Sequence, residues 1–309
     1  MTMTYNIDVY NPLRKNIIIN EPIDITKLEK IMYNLNDFFN HTSEKLDEEE
    51  LKATKTMLER IYSNKTESSG LSYYEIPKIN RTKYDRKGNI TIKGISHGRV
   101  FSEVSLMNLR KSMRESLLPE SCSDIDIVNC HCVILEHVCK LLNIKCKFLK
   151  MYNSNREIVL NQIMKDNNIT RKEAKKLPLC IINGAIRSSQ YKSEFLKDLE
   201  EENKKIFFEL MKTQKAKDIS IHLIKYCCYF EKGEYYRKYK KIFINGKWIK
   251  SRMNLRGSIV NHFLCEIESL CINLAMDFLE LNKIDLYLYC YDGLVSSKVN
   301  DDFIKKLTQ

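Results

Sequence analysis

The chain has 309 residues and a net charge of +11, from 51 Lys and Arg against 40 Asp and Glu. This length excludes a single small module and suits two domains or one large multi-lobed domain. The basic residues occur throughout the length of the chain and are not gathered in a tail. Their excess over acidic residues favours a polyanionic partner, because each neutralised phosphate releases counterions. An ordinary lysine-rich solvated surface is the alternative.

Eleven cysteines occur without any CxxC pair. Cys130, His131, Cys132 and His137 fit no usual zinc-ligand spacing, so a zinc site is not expected. Most of the cysteines lie in apolar runs, as reduced and buried thiols do. The N-terminus has no signal-peptide pattern, and no run of 18 apolar residues is present. We therefore expect an intracellular, cytoplasmic protein without a membrane partner.

The first 75 residues predict a helical region. Apolar residues recur at helical spacing over Ile25–Phe39 and over Glu44–Tyr62. Asn64–Gly70 predicts a loop, and the sequence around Lys87-Gly88-Asn89 predicts two short strands.

A basic helix leads into the stretch around which the chain is organised, Ser123–Leu135. Asp124 and Asp126 alternate with isoleucines at the period of a strand, and helical spacing begins near Cys130. Two carboxylates on one face of an apolar strand are costly unless a cation or a donor lies among them, so a metal site is one interpretation. A strand edge whose aspartates cap the next helix is the other. The preceding basic helix carries Arg110, Lys111 and Arg114.

Helices continue through the middle of the chain. Glu157–Ile169 has helical spacing, and Thr170 with Glu173 forms a capping box for a helix that begins at Arg171. Residues 192–232 predict two further helices.

The last part of the chain predicts a hairpin, a long helix and a second hairpin. The first hairpin turns at Asn245-Gly246, and the amphipathic helix covers Gly257–Leu281. Asp285–Ser297 predicts a strand, a tight turn at Asp292-Gly293 and a second strand. The chain ends twelve residues later, and we expect it to be the front part of a larger protein.

Three features thus follow in order: an acid-bearing strand that enters a helix, a basic helix, and an acid at a hairpin tip. This order resembles motifs A, B and C of the family A nucleic-acid polymerases and of the single-subunit phage RNA polymerases. In motif A of family A, a strand-ending aspartate is followed five residues later by a glutamate, and Asp126 and His131 stand in those positions. Tyr291-Asp292-Gly293 looks like the counterpart of the His-Asp-Glu of motif C.

Motif B of the family reads Arg, three residues, Lys, three residues, an aromatic residue, three residues and Tyr-Gly. This sequence keeps the spacing with Arg171, Lys175, Leu179 and Asn183-Gly184. Leu179 replaces the aromatic residue and Asn183 replaces the tyrosine. Pro178 removes an N–H group inside the proposed helix and should bend it.

Two weaker likenesses flank these motifs. Gly98-Arg99 with Leu106-Met-Asn108 resembles the segment that precedes motif A and touches the primer-template. Arg256 and Asn261 resemble the Arg and Asn of the helix before motif C. The resemblance covers about residues 95–298 and is nearest to the polymerase domain of transposon- and virophage-type replication proteins. These proteins have a DID-x-x-N-x-H motif A and carry a superfamily 3 helicase domain behind the polymerase.

The resemblance implies an α/β (α+β) right-hand polymerase with an antiparallel palm sheet, helical fingers and a helical, thumb-like N-terminal region. The implied division is 1–75 for the N-terminal region, 76–150 and 250–309 for the palm, and 151–249 for the fingers. The implied activity is template-directed nucleotidyl transfer, as a DNA polymerase or primase-polymerase without proofreading. Its implied partners are a DNA template and primer, nucleoside triphosphates and a helicase domain in the full-length protein.

The implied site residues form three groups. Asp126 and Asp292, with Asp124 as a helper, would hold Mg²⁺ or Mn²⁺, because hard cations prefer carboxylate oxygens and two such ions neutralise the charge that develops in phosphoryl transfer. The nucleotide-binding residues are Arg171, Lys175, Asn183 and His131. The nucleic-acid-binding residues are Arg99, Arg110, Arg114, Arg256 and Asn261.

Two other functions stay open from the sequence. One is a non-catalytic nucleic-acid-binding module that recruits a helicase, and the other is a metal-dependent nuclease that uses the same carboxylates but does not need the Arg171 and Lys175 helix. In family A DNA polymerases a packed Glu–Tyr pair excludes a ribose 2′-hydroxyl. Because His131 and Asn183 stand in those positions, we expect ribonucleotides to be accepted.

Overall fold

The structure is a computed structural model that describes residues 17–42, 46–68, 70–75, 101–185, 188–244, 247–290, 292–300 and 302–304. Arg99, Tyr291 and the strands predicted around Lys87-Gly88-Asn89 lie outside these residues. The chain forms two compact units. The acidic-strand unit comprises the described residues of 17–75, 101–127 and 269–304, and the helical unit comprises those of 128–268.

The elements follow one another in a mixed order. The strands are β1 Ile17–Ile19, β2 Ser72–Glu75, β3 Phe101–Ser102, β4 Cys122–Asp126, β5 Cys228–Glu231, β6 Glu234–Ile244, β7 Lys247–Arg252, β8 Leu286–Cys290 and β9 Gly293–Ser297. The helices are α1 Ile25–Tyr33, α2 Leu35–Asn40, α3 Glu48–Glu67, α4 Lys111–Leu117, α5 Cys130–Leu141, α6 Lys147–Ser154, α7 Arg156–Asn167, α8 Arg171–Ala174, α9 Lys176–Ile182, α10 Glu194–Leu210, α11 Gln214–His222 and α12 Leu255–Leu281.

The aspartates lie on an antiparallel sheet of the acidic-strand unit, with strand order β4-β9-β8. In its register Asp126 lies opposite Gly293, and Asp124 lies opposite Val295. Successive side chains of a strand point to opposite faces, so Ile125 packs against the core while the two aspartates line the other face. The predicted acidic strand and the predicted strand, turn and strand around Asp292 are confirmed.

The core of this unit encloses side chains from its helices and from the sheet. Leu28, Leu58, Met113 and Leu288 have no exposed surface, and each such side chain contributes about 1.5–3 kcal/mol through burial. A second antiparallel sheet, in the order β1-β2-β3, joins the same unit. It adds β-structure to an N-terminal region that the sequence predicts as helical.

Helical structure is confirmed over Ile25–Phe39, but it is divided at Asn34 into α1 and α2. The helix predicted over Glu44–Tyr62 is confirmed as α3, and the loop predicted over Asn64–Gly70 is wrong for its first four residues. The helix α3 continues to Glu67. Its end is closed by Gly70, whose φ of 70° lies in the left-handed region and whose N–H donates to the carbonyl oxygen of Asn64 at 2.9 Å.

Helices α5 to α11 belong to the helical unit. The predicted helix from Cys130 is confirmed, and so is the capping box of Thr170 and Glu173. The helix that begins at Arg171 is interrupted between α8 and α9, at Lys175. Pro178 explains the interruption, because its ring nitrogen cannot donate a hydrogen bond to the carbonyl group four residues earlier.

A three-stranded antiparallel sheet, in the order β5-β6-β7, completes the helical unit. The two paired strands of the predicted hairpin are confirmed as β6 and β7, while its turn at Asn245-Gly246 lies outside the described residues. Two helices within 192–232 are also confirmed, but the helical prediction is wrong for Cys228–Glu231, which forms β5. The rings of Tyr229 and Tyr236 stack across β5 and β6 with centroids 5.8 Å apart, a cross-strand pairing that favours the strand.

The predicted helix over Gly257–Leu281 is confirmed as α12. Among the described residues it is the one helix long and apolar enough to cross a membrane, and half of its most apolar stretch is buried inside the protein. Two buried acids of this helix bind side chains of the helical unit: Lys215 forms an ion pair with Glu266, and His131 bonds to Glu268. These contacts are those of a core helix.

The predicted α/β (α+β) class with an antiparallel sheet under the aspartates is confirmed. The division into palm, fingers and thumb at the boundaries given above stays a prediction. All eleven cysteines are thiols, and none of them forms a disulfide. Burial raises the pKa of Cys132 and Cys290 to about 12, so both thiols are unreactive at neutral pH.

We predict that Asn203 stabilises the end of α9. Its Nδ2 donates to the carbonyl oxygens of Ile181 and Ile182, both at 2.9 Å, and the side chain is buried. Asn203→Ala removes this donor from two buried carbonyl groups, so the free energy of unfolding should fall by about 1–3 kcal/mol in chemical denaturation.

The matched control is Asn282→Ala. Asn282 makes the same type of bond, to the carbonyl oxygen of Phe278 at 2.8 Å, in an exposed position. Water replaces an exposed donor, so the control should lose less than about 0.5 kcal/mol. Equal losses in the two variants would contradict the assigned role of Asn203.

Candidate metal and nucleotide site

Two acidic residues end neighbouring strands of the acidic-strand unit. Asp126 is the last residue of β4, and Asp292 lies in the turn between β8 and β9. The N–H group of Ile127 donates to the carbonyl oxygen of Asp292 at 2.9 Å, which continues the pairing of β4 with β9 past the last strand residue. The backbone therefore brings both aspartates to the same end of the sheet.

Gly293 leaves space for the carboxylate of Asp126. A Cβ atom at position 293 would overlap Asp126 Oδ1 and would lie 2.9 Å from the carbonyl oxygen of Ile125. Real Cβ atoms do not approach other atoms this closely, so any larger residue would force the carboxylate to move. Glycine is required at position 293 because the Asp126 carboxylate lies too close to leave room for a Cβ atom.

The local electrostatics disfavour an ionised Asp126. Partial burial of the carboxyl group and the negative charges of Asp124 and Asp292 raise the pKa of Asp126 above its ordinary value, and Lys111 and Arg114 oppose part of this rise. A divalent cation among the three carboxylates would remove the repulsion. The donor set consists of oxygen ligands, which Mg²⁺ and Mn²⁺ prefer. Their chemistry suits such an ion, but the three carboxylates are not among the groups whose ligand atoms all lie within 4.8 Å of one another in the described residues.

Asp124 is held by a lysine of the preceding helix. Lys111 Nζ lies 3.3 Å from Asp124 Oδ2 and 3.5 Å from Glu115 Oε1. The hydrogen bond to Asp124 raises the pKa of Lys111. From the sequence, Lys111 is one of the basic residues expected to contact phosphate groups of the template and primer; its contact with Asp124 was not predicted.

The two predicted nucleic-acid-binding arginines near this sheet already have protein partners. Arg110 forms an ion pair with Glu50 at 2.9 Å, and an Arg114 guanidinium nitrogen donates to the carbonyl oxygen of Leu109 at 3.3 Å. Exposed ion pairs of this kind contribute about 0–1 kcal/mol and open easily. Their predicted contacts with nucleic acid stay a prediction.

In the helical unit, Arg171 and Lys175 lie one helical turn apart. The N–H group of Lys175 donates to the carbonyl oxygen of Arg171 at 3.0 Å, so the spacing survives the interruption between α8 and α9. Both side chains are exposed. Arg171 is engaged by Glu157 through contacts of 2.5 and 2.6 Å, which lower the pKa of Glu157. Of the two cations, Arg171 is the one held by a bidentate contact with a carboxylate.

The end of α9 is fixed to the start of α12. Asn254 Nδ2 donates to the carbonyl oxygens of Asn183 and Gly184 at 2.7 and 2.9 Å, and its Oδ1 accepts from the N–H group of Gly257 at 2.9 Å. A Cβ atom at position 257 would overlap the Asn183 carbonyl group. Asn183 is therefore positioned by contacts that sequence analysis did not find.

Two buried polar atoms at this junction have no hydrogen-bond partner among the described residues: Asn183 Oδ1 and Arg256 Nε. The Arg256 guanidinium lies 4.9 Å from the centre of the Phe207 ring, and burial lowers the pKa of Arg256. Asn261 is exposed farther along α12. Asn183 and Arg256, named by separate motifs, thus occur near one another within a single unit.

His131 is 8% exposed, and its Nε2 atom lies 2.8 Å from Glu268 Oε2 and 3.8 Å from Cys265 Sγ. Ligand atoms of these three buried residues all lie within 4.8 Å of one another and could hold a metal ion. The predicted role of His131 beside the nucleotide sugar stays a prediction. Cys265 and Glu268 were not predicted from the sequence. The signal for them was their separation of three residues in an apolar helix, which places both side chains on one face.

The sequence matches no protein-family model, but similar chains occur among curated proteins and solved structures. A protein of Sputnik virophage called "Putative helicase V13" is 26% identical over 273 residues, which cover 84% of this chain and 31% of that protein. Among solved structures, the POL domain of Pol1 from M. smegmatis in complex with DNA primer-template and dNTP aligns with 93% of this chain and 51% of that chain, at 13% identity and a TM-score of 0.41. The chain thus spans about a third of the length of the virophage relative.

Asp126→Asn removes a charge that Asp124 and Asp292 repel. At neutral pH and in EDTA, we expect the variant to unfold at a higher temperature than the wild type. A raised folded-state pKa means that wild-type Asp126 is unfavourable once ionised, so the difference should disappear as pH falls through that pKa. Mg²⁺ or Mn²⁺ should raise the Tm of the wild type more than that of the variant.

Thermal unfolding followed by circular dichroism measures both effects. Asp285→Asn is the control, because Asp285 is an exposed acid directly before β8, at the opposite end of the same sheet. It should change neither the Tm in EDTA nor the shift caused by the metal. An unchanged metal-induced shift in Asp126→Asn would show that Asp126 is not a ligand.

Gly293→Ala should displace the Asp126 carboxylate, because the new Cβ atom overlaps Asp126 Oδ1. Overpacking of this kind costs roughly 1–3 kcal/mol of unfolding free energy. In an Asp126→Ala background the cost should fall, since most of the overlap is with the carboxylate. A double-mutant cycle by chemical denaturation measures the difference. The same cost in both backgrounds would contradict the close approach described here.

Proposed function

We propose that the chain is a template-directed nucleotidyltransferase, a DNA polymerase or primase-polymerase of a viral or mobile-element replication protein. The observation that carries the proposal is the end of the β4-β9-β8 sheet, where the backbone brings Asp126 and the turn with Asp292 together and where partial burial and the charges of Asp124 and Asp292 raise the pKa of Asp126. The order of the three polymerase-like motifs supports it.

In the proposed mechanism Asp126 and Asp292, assisted by Asp124, hold Mg²⁺ or Mn²⁺. The bound ions neutralise charge on the attacking and leaving oxygens of phosphoryl transfer. Lys111 keeps the Asp124 carboxylate in place through its hydrogen bond. Gly293 leaves room for the Asp126 carboxylate to stay at the strand end.

The cations of the interrupted helix bind the triphosphate in this proposal. Lys175 is exposed and contacts phosphate oxygens as a point charge. Arg171 must first leave Glu157, which costs part of its binding energy. We therefore assign the larger contribution to Lys175 and a smaller one to Arg171, with Asn183 and His131 on the sugar side.

The partners in this proposal are a DNA template and primer, contacted by Arg99, Arg110, Arg114, Arg256 and Asn261, and nucleoside triphosphates. The virophage relative is called a putative helicase and is about three times as long as the matched region. We propose that a helicase domain follows this one in the full-length protein. We expect the protein to act in the cytoplasm or in a viral replication compartment of a host cell.

The test is nucleotide incorporation on primed and unprimed single strands, with Mg²⁺ or Mn²⁺ and with ribo- or deoxynucleotides. Asp126→Ala and Asp292→Ala should each abolish synthesis while oligonucleotide binding persists, because each removes a metal ligand. Lys175→Ala should raise KM and lower kcat, and Arg171→Ala should do so less. Asp285→Ala is the matched control and should synthesise at the wild-type rate.

The same assay separates the rival functions. Degradation of the primer without extension would identify a nuclease that uses the same carboxylates. Binding without either reaction would identify a non-catalytic module. Extension at a near wild-type rate by Asp126→Ala or Asp292→Ala would overturn the metal assignment, and strong rejection of ribonucleotides would overturn the predicted sugar tolerance.

A further inference from the structure

The net positive charge of the chain is concentrated in one small sheet. Residues 228–252, which form β5, β6 and β7, contain eight Lys and Arg and two acids, a net of 8 − 2 = +6. The whole chain carries +11, so the other 284 residues together carry only +5. More than half of the net charge therefore lies in a twelfth of the length.

The two acids of this sheet are already bound within it. Glu231 pairs with Lys250, and Glu234 lies 2.8 Å from Arg252. No further acid is present in residues 228–252 to neutralise the other six basic residues. Among these six, Lys232, Arg237 and Lys238 have exposed side chains.

Aromatic rings alternate with these charges on both faces of the sheet. Tyr229 and Tyr236 stack across the strands on one face, with Lys250 Nζ 5.6 and 6.0 Å from their ring centres. Phe230 and Tyr235 pair at the next position, on the opposite face, with ring centres 5.0 Å apart. Phe230 is 62% exposed, so its ring is open to a ligand on that face of the sheet.

We propose that this sheet is a binding site for single-stranded nucleic acid. Exposed rings offer a stacking surface for unpaired bases, and the surrounding cations track the phosphates. Arg237 shares the face of Phe230 and Tyr235, since Phe230 pairs with Tyr235 and Cys228 pairs with Arg237 in the register. The bases stack on the Phe230 face, where Arg237 and Lys232 of the adjoining turn bind the phosphates. Lys238 lies on the opposite face beside Tyr236, where its Nζ also donates to the carbonyl oxygen of Lys225, and adds to the attraction for the backbone. The site requires neither a metal ion nor catalysis.

Binding of a fluorescent 20-nucleotide oligo-dT, measured by anisotropy in EDTA and without nucleotides, tests the electrostatic part. The triple variant Lys232→Gln, Arg237→Gln, Lys238→Gln should bind roughly 10- to 100-fold more weakly at low salt. Its plot of log affinity against log salt should be shallower by about 2, from about 0.7 per lost phosphate contact. The matched control is Lys52→Gln, Lys55→Gln, Arg60→Gln, which removes three exposed charges from α3 and should stay near wild type.

Phe230→Leu tests stacking, because it keeps an apolar side chain and removes the ring. Its affinity should fall roughly tenfold with an unchanged salt slope. Phe208→Leu is the matched control: Phe208 is 65% exposed on α10 and has Lys212 Nζ 4.9 Å from its ring centre. It should bind like the wild type. A duplex of the same length should compete less well than the single strand.

Wild-type affinity in the Lys232, Arg237, Lys238 variant, or an equal loss in the α3 control, would overturn the inference. Equal competition by duplex would overturn the stacking part. Circular dichroism and thermal unfolding establish that each variant folds. The assay contains neither a metal ion nor nucleotides, so failure of the sheet to bind and failure of the proposed catalysis are separate results.

Discussion

The partial burial of Asp126 beside two other acidic residues, at one end of a three-stranded sheet, is the constraint on which the candidate site depends. Antiparallel pairing of β4 with β9 forces Asp126 beside the turn that carries Asp292. Gly293 makes this possible, since a side chain there would occupy the volume of the carboxylate. The fold thus maintains a local electrostatic cost at an exposed strand end. Such costs persist where function requires them.

Local sequence pattern predicted most of the elements around this site. Alternating Asp and Ile predicted β4, and the Thr170 to Glu173 box predicted the start of α8, because both signals act within a few residues. β5 was missed, since its strand conformation depends on cross-strand contacts with rings of β6. The added helical turn before Gly70 was missed because the polar residues there suit a loop and a helix end equally well.

The sequence predicted those residues of the candidate site that belong to motifs with a fixed spacing. Asp126 and Asp292 were named from the sequence, and the structure brings their strands together. The partners that restrain the predicted residues were not predictable: Glu268 lies 137 residues from its partner His131, and Glu157 precedes Arg171 on a different helix. Such pairings are decided by how helices pack, and one sequence does not record that.

The hydrogen bonds of Asn254 between the end of α9 and the start of α12 restrict how these two helices can move. The side-chain amide of Asn254 donates to the carbonyl groups of Asn183 and Gly184, directly after α9, and accepts from the first turn of α12, and Gly257 allows the two backbones to approach closely. The C-terminal end of α9 and the beginning of α12 therefore move as one rigid piece. Any motion of α8 relative to α9 therefore bends the chain at Lys175, the interruption that Pro178 explains. That residue is also the proposed phosphate ligand, so the hinge and the contact with substrate coincide.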